Sequence, residues 1–186
     1  LLGIGGLDNP PAIYAPLISF VSIPAVSAVL TVMQDIGNVV FGNLPLLFAV
    51  GVSVGLAKRD KGTAALATVF GFLVMNQVVS TLLGLGVTQL GVITPDSVGE
   101  YGSYVTTNLG IFTLNMSVFG GIITGIVTAL LHNKFHTIQF PAVIGFFSGA
   151  RFVPIITSLT MAVVGAILAY VWPVVQDGIA IVSGLV

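Results

Sequence analysis

The chain has 186 residues, of which 6% are charged and 56% hydrophobic, with a mean hydropathy of +1.13 and a net charge of −1. Soluble domains carry about 25% charged residues, so this composition excludes a water-solvated globular protein, and the near-neutral balance offers nucleic acid no electrostatic footing. Cysteine is absent, which excludes disulfides, thiolate chemistry and cysteine-ligated metals.

In chain order, "LLGIGG" reads as the closing turn of an apolar helix. Without an initiating Met or the basic start of a signal peptide, the chain is expected to be a piece cut from a longer protein. Residues 10–33 hold Pro10, Pro11, Pro16 and Pro24 and are followed by Asp35. Prolines interrupt the apolar run and Asp35 is expected to close it, so one or two helices lying in the membrane interface are preferred for 12–33, with a full span as the alternative. Four windows without charge follow, at 36–57, 62–95, 101–133 and 152–176. Each reaches the roughly 20 residues that a helix needs to cross the hydrocarbon. Asn43 and Pro45 mark a start or kink in the first window, and the second and third are longer than a span requires. No strand alternation competes with the helical reading. The expectation is an all-α membrane protein, a polytopic helical bundle of about four full spans plus the end of a first span and an interfacial helical segment.

The five basic residues orient it. Lys58, Arg59 and Lys61 lie between the first two windows, and Lys134 and Arg151 lie between the last two. The loop between the second and third windows carries Asp96 and Glu100 and no cation. Positive loops stay inside, which makes the two basic loops cytoplasmic and the acidic one external. Trp172, Tyr170, Tyr101 and Tyr104 then read as an aromatic belt at the outer face.

Small residues indicate how the helices pack. Ser117, Gly121, Gly125 and Ala129 recur every fourth position, beside a row of Gly120, Thr124 and Thr128. Gly51 and Gly55 repeat the spacing, as do Ser158, Ala162 and Ala166. Such rows let backbones approach where lipid supplies no hydrophobic drive; spacing does not say whether the contact is within one chain or between two, and within-chain packing is the simpler reading.

Candidate chemistry is sparse. His132 and His136 share a helical face, yet no acidic or thiol partner completes a zinc site, so they read as interfacial histidines and no metal or other cofactor is expected. Arg151 reads as an anchor snorkelling to headgroups, with a gating or docking role as the sharper alternative. Asn43, Asn76, Gln77, Asn108 and Asn115 are better suited to interhelical hydrogen bonds than to a continuous polar path. Glycine-rich "GLGVTQLG" and "FGG" lack a phosphate-cradling pattern, and no catalytic residues are visible.

Two long stretches carry a resemblance. "GNLPLLFAVGVSVGLAKRDKGTAALATVFGFLVMN" (42–76) resembles the second and third spans of the EIIC permeases of the bacterial phosphotransferase system, in the glucose–maltose–glucosamine branch. "MSVFGGIITGIVTALLHNKFHTIQFPAVIGFFSGARFVPI" (116–155) resembles the fourth span, inner loop and start of the fifth. The core "FFSGARFVPI" is similar to that family's Phe-Phe-Gly-Gly-(Lys/Thr)-Arg-Phe-Val-Pro-Ile motif, with Ser148 and Ala150 as departures, and "WP" at Trp172 and Pro173 extends the likeness.

The resemblance implies that residues 1–186 are the N-terminal scaffold and dimerisation half of an EIIC permease domain. The family's Gly-Leu-His-His and Thr-Glu-Pro motifs, which hold sugar, do not occur here, so the substrate site is expected in the missing C-terminal half. It also implies a homodimer in the bacterial inner membrane, EIIB and EIIA phosphocarrier partners, and uptake of glucose- or maltose-type sugar coupled to phosphorylation from phosphoenolpyruvate. His132, Lys134, His136 and Arg151 become candidates for coupling to a cytoplasmic partner or to the moving half. The alternatives are a structural or assembly protein that dimerises through small-residue faces without transport, and a small channel, for which the amides are too sparse.

Overall fold

The computed structural model describes residues 24–96 and 99–184. The turn assigned to a first span and residues 12–23 of the interfacial assignment lie outside them. The chain divides into two units, Leu1–Gly42 and Asn43–Val186.

In the first unit, α1 (Pro24–Gly42) is one uninterrupted helix. Proline is tolerated at its first position, where the missing N–H has no intrahelical acceptor anyway. Ser27 and Thr31 hydroxyls donate back to the carbonyls of Pro24 and Ser27, at 3.0 and 2.9 Å. This corrects the sequence expectation. Asp35 does not close the segment but sits inside a helix that is long and apolar enough to cross a membrane. A single carboxylate costs a helix only a few tenths of a kcal/mol in propensity, about 0.7 at most, which is too little to end it.

The second unit contains α2 (Leu44–Leu56), α3 (Lys61–Gly84), a hairpin of β1 (Val105–Asn108) and β2 (Ile111–Leu114), α4 (Ser117–Phe135) and α5 (Phe152–Gly184). Helix breaks at Asn43, as Pro45 in the first turn of α2 requires. The first charge-free window is therefore divided between α1 and α2, and α2 has only 13 residues. At 1.5 Å per residue it reaches about 20 Å, short of a full crossing. Among the described residues, four helices are long and apolar enough to cross: α1, α3, α4 and the helical stretch containing α5.

The hairpin is the second correction. β1 and β2 pair antiparallel, Asn108 opposite Ile111, around Leu109 and Gly110, both at positive φ (51° and 82°). That is the primed two-residue turn whose twist suits a hairpin. The third window thus spends its first part as strand rather than helix. Non-helical backbone near a bilayer has to be covered by protein, and the hairpin packs on α3 with Thr113 and Leu114 fully buried.

Packing runs in two pairs, α3 along α5 and α2 along α4, with α2 also touching α3. The pattern is that of a lipid-solvated protein: large apolar groups cover the outside, and small and polar groups share the inside with apolar ones. On α5 the buried side carries Val153, Thr157, Met161, Ala169 and Trp172, while Ile155, Leu159, Val163 and Ile167 face outward at four-residue spacing, each 46–66% exposed. The shared core is built from Phe72, Met75, Val79 and Leu83 of α3 with Leu114, Met116, Met161 and Trp172.

Candidate functional site

Chain direction sorts the charges. α2 and α4 end where α3 and α5 begin, so the 57–60 loop and the 136–151 loop lie at one end of the unit. That end carries Lys58, Arg59, Lys61, Lys134 and Arg151, whereas Asp96 follows α3 at the other end and Asp177 lies late in α5 there. Lys134 and His132 sit in the last turn of α4, where the helix dipole favours positive charge.

Two side chains of α4 hold the basic end together. Asn133 Nδ2 donates to the Leu56 carbonyl at 3.0 Å, and its Oδ1 accepts the Lys58 N–H at 2.9 Å. The first bond satisfies a carbonyl that the end of α2 would otherwise leave unpaired. His132 Nε2 lies 2.7 Å from the Arg59 carbonyl oxygen. A carbonyl only accepts, so the ring carries its proton on Nε2. His132 is fully buried and its Nδ1 has no partner. His136 stacks on it at 5.1 Å between ring centroids, and its Nδ1 donates to the His132 carbonyl at 2.9 Å. The expectation of two headgroup-facing histidines is thus corrected for His132, which is an interior clamp. It ties the α2–α3 loop, whose residues 58–60 are exposed, to the last turn of α4.

The 136–151 loop is stitched across its base. Gly149 N–H donates to the Ile138 carbonyl at 2.7 Å, and Phe140 N–H to Ser148 Oγ at 2.9 Å. Phe152 packs edge-on against both Phe135 and Phe140, at 5.8 and 5.0 Å. Between those stitches a 3-10 turn, Ala142–Phe147, projects outward with no buried residue. Arg151 stacks on Phe146 at 4.6 Å and donates from Nη1 to its carbonyl at 3.3 Å. Lys134, exposed, stands over Phe135 at 5.4 Å.

At the opposite end, Trp172 Nε1 donates to the Asn115 carbonyl at 3.1 Å and Gln176 Nε2 to the Ser103 carbonyl at 2.7 Å. Tyr104 donates its hydroxyl to Asp177. That hydrogen bond to the carboxylate is the main reason the Tyr104 phenol is held above its ordinary range, with desolvation and the nearby negative charge adding to it. Trp172 is therefore a buried strut rather than a member of a lipid-facing belt, because its indole N–H finds a protein acceptor. Tyr170 and Tyr101 do face outward.

Among the amides, Asn76 and Asn108 meet: Asn108 Nδ2 lies 3.4 Å from Asn76 Oδ1, whose own Nδ2 donates to the Phe72 carbonyl at 2.8 Å. This ties the hairpin tip to α3 and uses both amides structurally.

The small residues divide. A methyl group at Gly121 would collide with the Pro45 carbonyl, and one at Gly125 would lie 2.6 Å from the Ala49 carbonyl oxygen. Ala129 is buried, Ser117 is exposed at the head of α4. Gly51 and Gly55 meet nothing within 4 Å and lie on the outward side of α2. Gly165 was not singled out in the sequence, yet a methyl there would lie 2.8 Å from the Met75 carbonyl oxygen. Its signal was its place on the four-residue series of buried positions Val153, Thr157 and Met161. Among the described residues no three His, Asp or Glu side chains converge as metal ligands. The chemistry of either end is that of clamps and anchors.

Comparison with known proteins bears on what the clamps serve. The family model described as "Phosphotransferase system, EIIC" matches residues 1–186. The chain is 39% identical over 160 residues to the "PTS system glucose-specific EIICBA component" of Staphylococcus saprophyticus subsp. saprophyticus, covering 86% of this chain and 22% of that protein. It is 44% identical over 153 residues to the "PTS system glucoside-specific EIICBA component" of Staphylococcus carnosus, covering 80% and 22%. It is also 44% identical over 155 residues to the "PTS system glucosamine-specific EIICBA component" of Bacillus subtilis, covering 83% and 22%. The chain thus spans about a fifth of the length of these curated relatives.

Proposed function

The chain belongs to the EIIC family of the phosphotransferase system, and on that premise we propose that it forms the scaffold half of a permease taking up a glucose-type sugar with coupled phosphorylation. It is a multi-pass integral membrane protein, and the bacterial relatives favour the cytoplasmic membrane, with the five-cation end inside. The observation that carries the reading is the family match along the whole chain, reinforced by relatives named for glucose, glucoside and glucosamine.

In this reading the sugar passes through the C-terminal half of the permease, outside these 186 residues. A phosphocarrier chain of EIIA and EIIB delivers phosphoryl to it at the inner face. The phosphorus–sulfur bond of an EIIB phosphocysteine breaks, a phosphorus–oxygen bond forms to a sugar hydroxyl, and the hydroxyl proton leaves. The present chain supplies no group to that transfer. Its part is rigidity: backbone-to-backbone seats at Gly121, Gly125 and Gly165, and clamps at both ends. A homodimer built on this half is part of the proposal, with glucose, maltose or a related glucoside as substrate.

The test is phosphoenolpyruvate-driven uptake and phosphorylation of labelled glucose, maltose and glucosamine by membrane vesicles from cells with and without the gene. Loss of both activities for at least one sugar on deletion, restored by the gene, is expected. Unchanged uptake, with the protein still forming stable oligomers, would establish the structural alternative instead.

A further inference from the structure

We propose that the projecting turn Ala142–Phe147, with Arg151 and Lys134, is a lipid-anchoring wedge that selects anionic phospholipid headgroups at the basic end of the bundle. The proposal does not rest on the transport reading, nor on which compartment that end faces.

Four observations converge. The first is exposure of apolar surface on a loop, where polar residues are the rule. Val143 is 96% exposed and Phe146 70%, with Ile144 and Phe147 each at 47%. The second is depth. Phe135 ends one membrane-crossing helix and Phe152 begins the next, and the stitches at Ile138–Gly149 and Phe140–Ser148 stop the loop from extending far from them. The turn is thereby held at the level of the headgroups. The third is continuity: outward-facing Leu130 of α4 and Ile155 and Leu159 of α5 carry the same apolar surface into the hydrocarbon.

The fourth observation is charge. Arg151 stands at the start of α5, where the helix dipole opposes a cation, so its position does not serve the helix. Of its five N–H donors, one is turned to the Phe146 carbonyl. Stacking on Phe146 holds the guanidinium beside the apolar tip, the arrangement that presents a planar fork to a phosphate. Among the described residues no carboxylate pairs with it, and the sequence contains no Asp or Glu from residue 101 to residue 176. Lys134 and the cations at 58–61 add to the field, against Asp60, whose Oδ2 accepts the Thr63 hydroxyl. Apolar tips flanked by cations are the composition that seats a segment in an anionic interface.

The experiment uses the absence of native cysteine. Val143→Cys, at a position that touches almost nothing, is labelled with an environment-sensitive fluorophore, and the 186-residue chain is reconstituted in vesicles of mixed phosphatidylcholine and phosphatidylglycerol. The expected result is a blue-shifted emission, shielded from aqueous iodide and quenched by shallow spin-labelled lipid. Spin-labelled phosphatidylglycerol should quench more than spin-labelled phosphatidylcholine. Lys134→Gln and Arg151→Gln should each lower that preference, by about fivefold per cation removed, and Phe146→Ser should reduce the shielding. Both cations are exposed, so their replacement leaves the bundle intact, which the clamp-dependent protease resistance described below verifies. A water-exposed fluorophore quenched freely by iodide would overturn the proposal and point to a protein partner for the turn. Equal quenching by the two lipids would overturn the headgroup selection.

Discussion

His132, buried in the last turn of α4, donates to the backbone carbonyl of Arg59 at 2.7 Å, joining residues 73 positions apart in the chain. With Asn133 bonded to Leu56 and Lys58, it makes the α2–α3 loop a fixed part of the bundle end. Replacing His132 by Leu removes the donor to the Arg59 carbonyl, a cost of about 0.5–1.5 kcal/mol. The loop contains Lys58, Arg59 and Lys61, so trypsin reports its mobility directly. Faster tryptic cleavage of His132→Leu and Asn133→Leu than of the unmodified protein in vesicles is expected. The double variant should fall short of the summed effects, since both residues hold one loop. Unchanged cleavage in both would show that the loop is ordered by something else.

Backbone contact through glycine gives a second test. Gly121→Val and Gly125→Val each place atoms against a carbonyl on α2, at Pro45 and Ala49. Backbone cannot yield as a side-chain tip does, so each change is expected to destabilise the fold by about 1–3 kcal/mol. Gly51→Ala meets nothing within the chain and should change monomer stability by about 0.5 kcal/mol or less. Thermal unfolding in detergent compares the three. Should Gly51→Ala instead weaken a dimer seen by cross-linking in membranes, it would support the proposed oligomer and leave the monomer result standing.

The Tyr104–Asp177 bond predicts an alkaline response. Its phenol is raised above the ordinary tyrosine value of about 10. The bond's stabilisation is therefore fully present below that ordinary value and disappears as pH climbs through the higher one in the fold. Ultraviolet titration of tyrosinate should show a late component that Tyr104→Phe removes and Asp177→Asn moves to lower pH. Coincident titration of every tyrosine would contradict the assignment.

Much of this fold could be read from residue pattern, because lipid as solvent leaves few options. Long charge-free runs locate α3, α4 and α5, and the clustering of Lys and Arg agrees with helices that alternate in direction. The misreadings share a cause. Around Asp35 and along the β-branched stretch at 105–114 the reading leans on charge, and charge neither ends a helix nor distinguishes helix from strand. The signal for the hairpin was present in Val105, Thr106, Thr107, Ile111 and Thr113 around Gly110. His132 could not be told from His136 by spacing, since which of two neighbours on a helix points inward depends on where the α2–α3 loop folds back.

The hairpin turn offers a stabilising change. Leu109 is a branched residue at φ 51°, a conformation in which Asn is far better tolerated. Its side chain is 48% exposed, so little packing is lost. Leu109→Asn is expected to raise stability by up to about 1 kcal/mol, and Leu109→Val, with branching next to the backbone, to lower it. Opposite signs in thermal unfolding are the expected outcome. The same sign for both would show that the turn relaxes away from the primed geometry.

Sidedness is open to a direct measurement, and it bears on the whole arrangement. α3 has 24 residues and so extends about 36 Å, enough to separate Lys58 near its start from Asp96 beyond its end by the full thickness of a bilayer. Because no cysteine is present, Lys58→Cys and Asp96→Cys each create one thiol. A membrane-impermeant maleimide added to intact cells should label the residue 96 thiol and spare the residue 58 thiol until the membrane is opened. The reverse pattern would keep the helical bundle but invert it, placing the cations outside against the usual retention of positive loops. Labelling of both from one side would be incompatible with α3 crossing at all, and the permease proposal would fall with it.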